Sequence, residues 1–246
     1  MSAADIALLL LAAVGAGALN AVAGGGSFLT FPALVAVGIP PIVANATSAV
    51  AVMPGYAGSV LGFKGELLAL PRRLLRAEVL TAAIGGLLGA GLLLITPQQL
   101  FVGLVPWLLG LATVLFAVGP WLTRHAQGAE HQRWRVPGLL LVCVYGGYFN
   151  GGLGILLMAL YGLVGERNIH TANGLKNLNS LVLALSSIAA FAAAGAVSWP
   201  AAGLMMLGTT SGGYFGARWA KRLPAKWIRA LVMATGVIMT LRFALR

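Results

Sequence analysis

The sequence predicts an all-α integral membrane protein built from two inverted-topology repeats. Each repeat would hold a broken, re-entrant first helix pair and about three spanning helices. Three observations lead there. The 246 residues are 59% hydrophobic and 9% charged, with a mean hydropathy of +0.93, more apolar side chain than a soluble fold covers with so little polar surface. Several stretches reach the ~20 apolar residues that a membrane crossing takes. Glycine-rich breaks then interrupt two apolar segments, "NAVAGGGSFLTFP" (20–32) and "NGGLGILL" (150–157).

In chain order, "MSAADIALLLLAAVGAGALNAVAG" ends in small residues as a secretory signal would. It lacks the basic start and carries Asp5 instead, so a retained helix is expected. After "AGGGS", residues 28–37 span only about 15 Å as a helix, half a bilayer core. They read as a half-helix starting near mid-membrane, and "VGIPP" (37–41) as an outer turn. The loop 62–76 carries Lys64, Arg72, Arg73 and Arg76; the stretches 74–95 and 99–119 are expected to span. A polar linker, "TRHAQGAEHQRWR" (123–135), leads to the second break at Asn150 and a second half-helix, 155–164. The stretches 181–197, 201–217 and 227–245 complete the spans.

The net charge of +11 would suggest nucleic acid in a soluble domain. Here the cations cluster at helix ends, including Arg124, Arg133 and Arg135, and Arg218, Lys221, Arg222, Lys226 and Arg229. That is the positive-inside pattern of a membrane protein, and no nucleic-acid partner is expected. The single cysteine, Cys143, excludes an internal disulfide and a cysteine metal site, and reads as a small buried residue.

Self-similarity divides the chain. "GGLLGAGLLLITP" (85–97) and "GGYFGARWAKRLP" (212–224) match at an offset of 127; Asn45 faces Asn173 at 128, and Asn20 faces Asn150 at 130. The expected units are 1–119, a linker 120–135, and 136–246. Equivalent loops differ in charge: basic 62–76 answers uncharged "AGAVSWP", and uncharged "ITPQQ" answers basic 218–229. They therefore sit on opposite membrane faces, the inverted repeat of many secondary transporters. Both termini are expected outside and 123–135 in the cytoplasm, in a multi-pass bacterial inner-membrane protein.

Half-helix starts direct unpaired N–H groups and a positive dipole end to one point, a ready anion site. Irregular backbone at membrane depth must line protein or water. Candidate binding residues in the first half are Asn20, Gly24, Gly25, Gly26, Ser27, Asn45 and Ser48. In the second they are Asn150, Gly151, Gly152, Gly154, Asn173, Lys176 and Asn177. Asn173, Lys176, Asn177 and Ser180 share one helix face by their spacing. Two plainer explanations stay open: close packing by small residues, and a snorkelling Lys176. The acidic residues Asp5, Glu66, Glu78, Glu130 and Glu166 all lie near expected helix ends or in loops. A cation path normally needs a carboxylate at depth, so the donor set suits a small anion. The histidines, His125, His131 and His170, lie near the surface, and no hydrolase or metalloprotease motif is present. No enzyme activity, cofactor or metal is expected.

"GALNAVAGGGSFLTFPALVAVGIPPIVANATSAVAV", with "NGGLGILLMALYGLVG" opening the second half, resembles the TauE/SafE family of membrane transporters over nearly the whole chain. The resemblance implies export of sulfite or of organosulfonates such as sulfoacetate, and its glycine and asparagine positions fall on Asn20, Gly24, Gly25, Gly26, Asn45 and Asn150. The second half departs, with "GGLG" for the triple glycine and "NGLKN" opposite "NATS". The expected function is a secondary transporter of a small sulfur-containing anion, sulfite, thiosulfate or organosulfonate. Its partners would be that anion and the lipid bilayer, and the sequence is compatible with a homo-oligomer. An anion channel of this architecture, or a non-transporting subunit of a membrane complex, would share the composition.

Overall fold

A computed structural model describes residues 1–23, 25–126 and 132–219, and the short pieces 233–234, 237–238 and 240–241. All its described elements are helical: α1 (Ala3–Ala23), α2 (Ser27–Ala36), α3 (Pro41–Gly62), the short α4 (Lys64–Leu68), α5 (Arg72–Ile95) and α6 (Gln98–Ala126) come first. A 3₁₀ turn, Gln132–Trp134, precedes α7 (Arg135–Tyr148), α8 (Leu153–Leu163), α9 (Ile169–Ala193) and α10 (Trp199–Trp219). Among the described residues, four stretches are long and apolar enough to cross a membrane: Ala3–Asn20, Arg72–Ile95, Gln98–Leu115 and Ile169–Ala193. Exposed leucines and tryptophans such as Leu11, Trp107, Leu141 and Leu207 suit a lipid-facing surface. The chain is thus a multi-pass membrane protein. The expected last span, 227–245, falls mostly outside the described residues, as does most of the linker.

The two interrupted segments form hairpins. α2 has 10 residues and α8 has 11, about 15 Å each against a hydrocarbon core of about 30 Å. α2 doubles back along α1: the backbone of Gly26 abuts Ala16 and Asn20, and the Leu29 side chain covers Gly15. In the same way Leu153 covers Gly146 and Leu160 covers Gly138, so α8 runs back along α7. The second reversal needs Gly152, whose φ of +75° lies in the left-handed region that glycine enters without a Cβ penalty. The first helix of the chain is therefore one arm of a hairpin rather than a kinked crossing.

Each hairpin arm lies on a helix from the other half of the chain. α1 packs along α10 and α7 along α5, backbone against backbone. A Cβ on Gly17 would strike the Thr209 carbonyl and one on Gly212 the Val14 carbonyl. In the other seam a Cβ on Gly89 would strike Val144 and one on Gly147 would strike Gly86. Small residues allow this approach, which in a bilayer supplies dispersion contact where the hydrophobic effect does not act. α3 and α9 pack on each other and tie the pairs together, α3 against α10 and α9 against α5.

Two residues expected at the polar periphery are buried. Arg135, expected in the linker, opens α7, and Glu78, expected near a helix end, lies two turns inside α5; their exposures are 8% and 2%. Arg135 Nε donates to Glu78 Oε1 at 2.7 Å. Pairing permits the burial, since an isolated ion in an apolar interior is far more costly. Cys143, as expected, is buried.

Candidate functional site

Beside the first hairpin tip, α1, α3 and α10 enclose a cavity of about 420 Å³. Its walls are small: Ala16 and Gly17 from α1, Gly55 and Gly58 from α3, Gly213 from α10. Pro54 also lines it and, having no N–H, cannot close a helix bond to the Val50 carbonyl. The polar lining is Asn20, Ser59, Thr209, Thr210 and Tyr214. The hydroxyls of Ser59, Thr209 and Thr210 donate to the carbonyls of Gly55 (2.8 Å), Ala51 (2.5 Å) and Met206 (2.7 Å). In these rotamers they offer oxygen lone pairs to the cavity. Asn20 differs: its buried Oδ1 has no hydrogen-bond partner, and its Nδ2 sits over Gly55.

A second polar group gathers at the other hairpin tip. Asn150 is 5% exposed, and neither atom of its amide has a hydrogen-bond partner. The Tyr56 hydroxyl of α3 is near enough to interact with it electrostatically, without a hydrogen bond of good geometry. Tyr145 donates to the Gly151 carbonyl at 2.7 Å, and Asn45 Nδ2 donates to the Tyr148 carbonyl at 3.0 Å. Phe31 of α2 meets Phe149 edge to face, centroids 5.7 Å apart, which brings the first short helix against the second tip. Ser48 shares a 2.6 Å hydrogen bond with Thr30 of α2.

A third group lies on α9 alone. Asn173 Nδ2 donates to the Ile169 carbonyl at 2.9 Å, Lys176 Nζ to Asn173 Oδ1 at 3.2 Å, and Asn177 Nδ2 to the Asn173 carbonyl at 2.9 Å. His170, one turn earlier, faces the Phe63 ring across 6.5 Å.

A family model described as Sulfite exporter TauE/SafE matches residues 9–243. The chain belongs to this family. It is also similar to a Sinorhizobium protein described as the probable membrane transporter protein ORF9, 29% identical over 96% of this chain and 91% of the relative. A probable membrane transporter protein of Haemophilus influenzae is 27% identical over 96% and 92% of the two chains. The Escherichia coli K12 protein YfcA, described in the same words, is 24% identical over 96% and 88%. No solved structure matches.

Of the predicted residues, this TauE/SafE chain places Asn20 on the cavity, with Gly26 directly behind it. Gly25 and Ser27 are buried at the start of α2, and Gly151, Gly152 and Gly154 at the start of α8. Asn45, Ser48 and Asn150 belong to the hairpin contacts, and Asn173, Lys176 and Asn177 to the α9 chain of hydrogen bonds; Gly24 lies outside the described residues. Sequence reasoning missed Tyr56, Ser59, Thr209, Thr210 and Tyr214. "GTTSGGYFGA" (208–217) falls in the expected span 201–217, which forms α10 but is not among the four stretches long and apolar enough to cross, and three hydroxyls before a double glycine were the signal available. No group of three or more His, Cys, Asp or Glu placed to hold a metal occurs among the described residues.

Proposed function

We propose that this TauE/SafE protein is a secondary transporter that exports a small sulfur-containing anion, sulfite, thiosulfate or an organosulfonate such as sulfoacetate. The observation that carries the proposal is the set of buried, unpartnered amide atoms at the two hairpin tips, Oδ1 of Asn20 and both Oδ1 and Nδ2 of Asn150. Buried polar atoms are normally hydrogen-bonded, and an unpaired one costs about 1–3 kcal/mol. Two such side chains, each beside a glycine break and one lining the cavity, are what a site awaiting a polar ligand would contain. Toward an anion Asn150 would donate through its unpartnered Nδ2, and Asn20 would rotate its amide to present Nδ2 in place of Oδ1. Gly25, Gly26, Ser27, Gly151, Gly152 and Gly154 would supply backbone donors. Asn45, Ser48, Asn173 and Asn177 would add hydrogen bonds to the anion, and Lys176 would supply the countercharge.

Seam contacts favour the division into inverted repeats, 1–119 and 136–246 about the linker 120–135. Gly17 meets Gly213 in one seam and Gly147 meets Gly86 in the other. These pairs interconvert at the offsets of 130 and 127 found in the sequence. Rocking one repeat against the other would give alternating access. With the linker cytoplasmic and both termini outside the inner membrane, an inside-negative potential favours anion exit by about 2.3 kcal/mol per charge per 100 mV. Export then needs no coupling ion.

The test is efflux from proteoliposomes loaded with labelled sulfite or sulfoacetate. The proposal predicts saturable efflux, faster with an inside-negative potential and lost in Asn20→Ala. Flux that rises linearly with concentration would mean a channel, and no flux of either anion would remove the substrate class.

A further inference from the structure

We propose that the α7–α8 hairpin is the fixed half of the transport site and the α1–α2 hairpin the moving half, with Glu78, Arg135, Tyr161 and Asn179 as the positioning residues that make it so. This rests on the transporter proposal above.

The base of the second hairpin is tied by a buried polar cluster drawn from four helices. Glu78 of α5 accepts from Arg135 Nε of α7 on Oε1, and on Oε2 from the Tyr161 hydroxyl of α8 at 2.8 Å and Asn179 Nδ2 of α9 at 2.5 Å. Asn179 Nδ2 also contacts the Tyr161 hydroxyl. The Arg135 guanidinium lies over the Tyr161 ring at 5.7 Å, with its Nη2 3.9 Å from Glu166 Oε2. Neither hairpin arm can shift against α5 or α9 without exposing an ion in an apolar interior, which is strongly unfavourable. The tip is tied as well, by Asn45 to the Tyr148 carbonyl and by Tyr145 to the Gly151 carbonyl.

The first hairpin has a different base and tip. At the repeat offsets Glu78 corresponds to Met205 and Asn179 to Ala51, both fully buried and apolar. Asn173, the counterpart of Asn45, spends its amide on its own helix at Ile169. Asn20 keeps an unpaired carbonyl, and the cavity lies along the arm that carries it. Among the described residues the first hairpin has no buried ion pair. The Thr30–Ser48 hydrogen bond holds α2 to α3, while α1 meets α10 through the glycine seam, and helices packed in that way move by small sliding shifts.

Spin-label distances on the full chain in lipid nanodiscs test this, in a Cys143→Ala background. Leu11→Cys with Leu207→Cys reports the first hairpin against α10; Leu141→Cys with Leu80→Cys reports the second against α5. All four leucines are exposed, so labels face lipid. Without ligand, the 80/141 pair should give one narrow distance and the 11/207 pair a broader or double one. Sulfite or sulfoacetate should redistribute only 11/207. Glu78→Gln should broaden 80/141 to the width of 11/207, whereas Arg135→Lys, which keeps the charge, should leave it narrow, a distinction that general destabilisation would not produce. Equal widths in the parent protein, or a ligand shift confined to 80/141, overturns the assignment even if Glu78→Gln fails to fold. If neither anion shifts either pair, the substrate proposal fails, and the ligand-free widths still decide which hairpin is anchored.

Discussion

Asn20 carries its amide beside a cavity without a partner for Oδ1, so removing it sacrifices no internal hydrogen bond through that atom. Asn20→Ala should therefore melt within about 1 kcal/mol of wild type while losing its response to anions. Glu78 behaves in the opposite way. Glu78→Leu strands the Arg135 charge and should cost about 3–5 kcal/mol, whereas Glu78→Leu with Arg135→Met should recover most of it; paired denaturation measurements in detergent check both. Asn20 was legible because it borders the triple glycine. The Glu78–Arg135 pair was not: 57 residues separate its members, and each taken alone looks like an ordinary charge near a helix end. Thr209 and Tyr214 were hidden for a related reason, since hydroxyls in an apolar helix usually bond their own backbone, as Thr210 does here, and nothing in the sequence marks Thr209 as reaching the Ala51 carbonyl of α3.

At the scale of the element, helix length was readable from hydropathy and helix breaks from glycine. The expected half-helices 28–37 and 155–164 appear as Ser27–Ala36 and Leu153–Leu163, the second started by Gly152 at positive φ. That they run back along α1 and α7 depended on contacts such as Leu29 over Gly15, which no periodicity encodes. Short α4 was not anticipated either; five residues carry too little pattern. Gly152→Ala should place a Cβ at positive φ, at about 1–2 kcal/mol. Gly17→Ala should drive a methyl into the Thr209 carbonyl and cost roughly 1–3 kcal/mol. Gly91→Ala, with open space around its Cβ position, should be neutral or slightly stabilising. Thermal melts of the three variants, in one detergent, would show the order directly.

At the scale of the molecule, composition was enough to place the chain in a membrane, and the family match over residues 9–243 agrees with the resemblance read from its glycine and asparagine block. The two hairpins are joined by the crossing of partners, α1 on α10 and α7 on α5, and each tip carries an amide with a buried atom that lacks a hydrogen-bond partner. The most direct test of that account is the melting temperature of the detergent-purified protein against rising sulfite, thiosulfate, sulfoacetate, sulfate, phosphate and chloride, repeated on Asn20→Ala, Asn150→Ala and Lys176→Ala. A ligand that binds the folded state raises the melting temperature with its concentration. A sulfur oxyanion or sulfonate should stabilise wild type, and all three variants should lose the effect. Equal stabilisation of wild type and variants would contradict it, by placing the anion away from both hairpin tips.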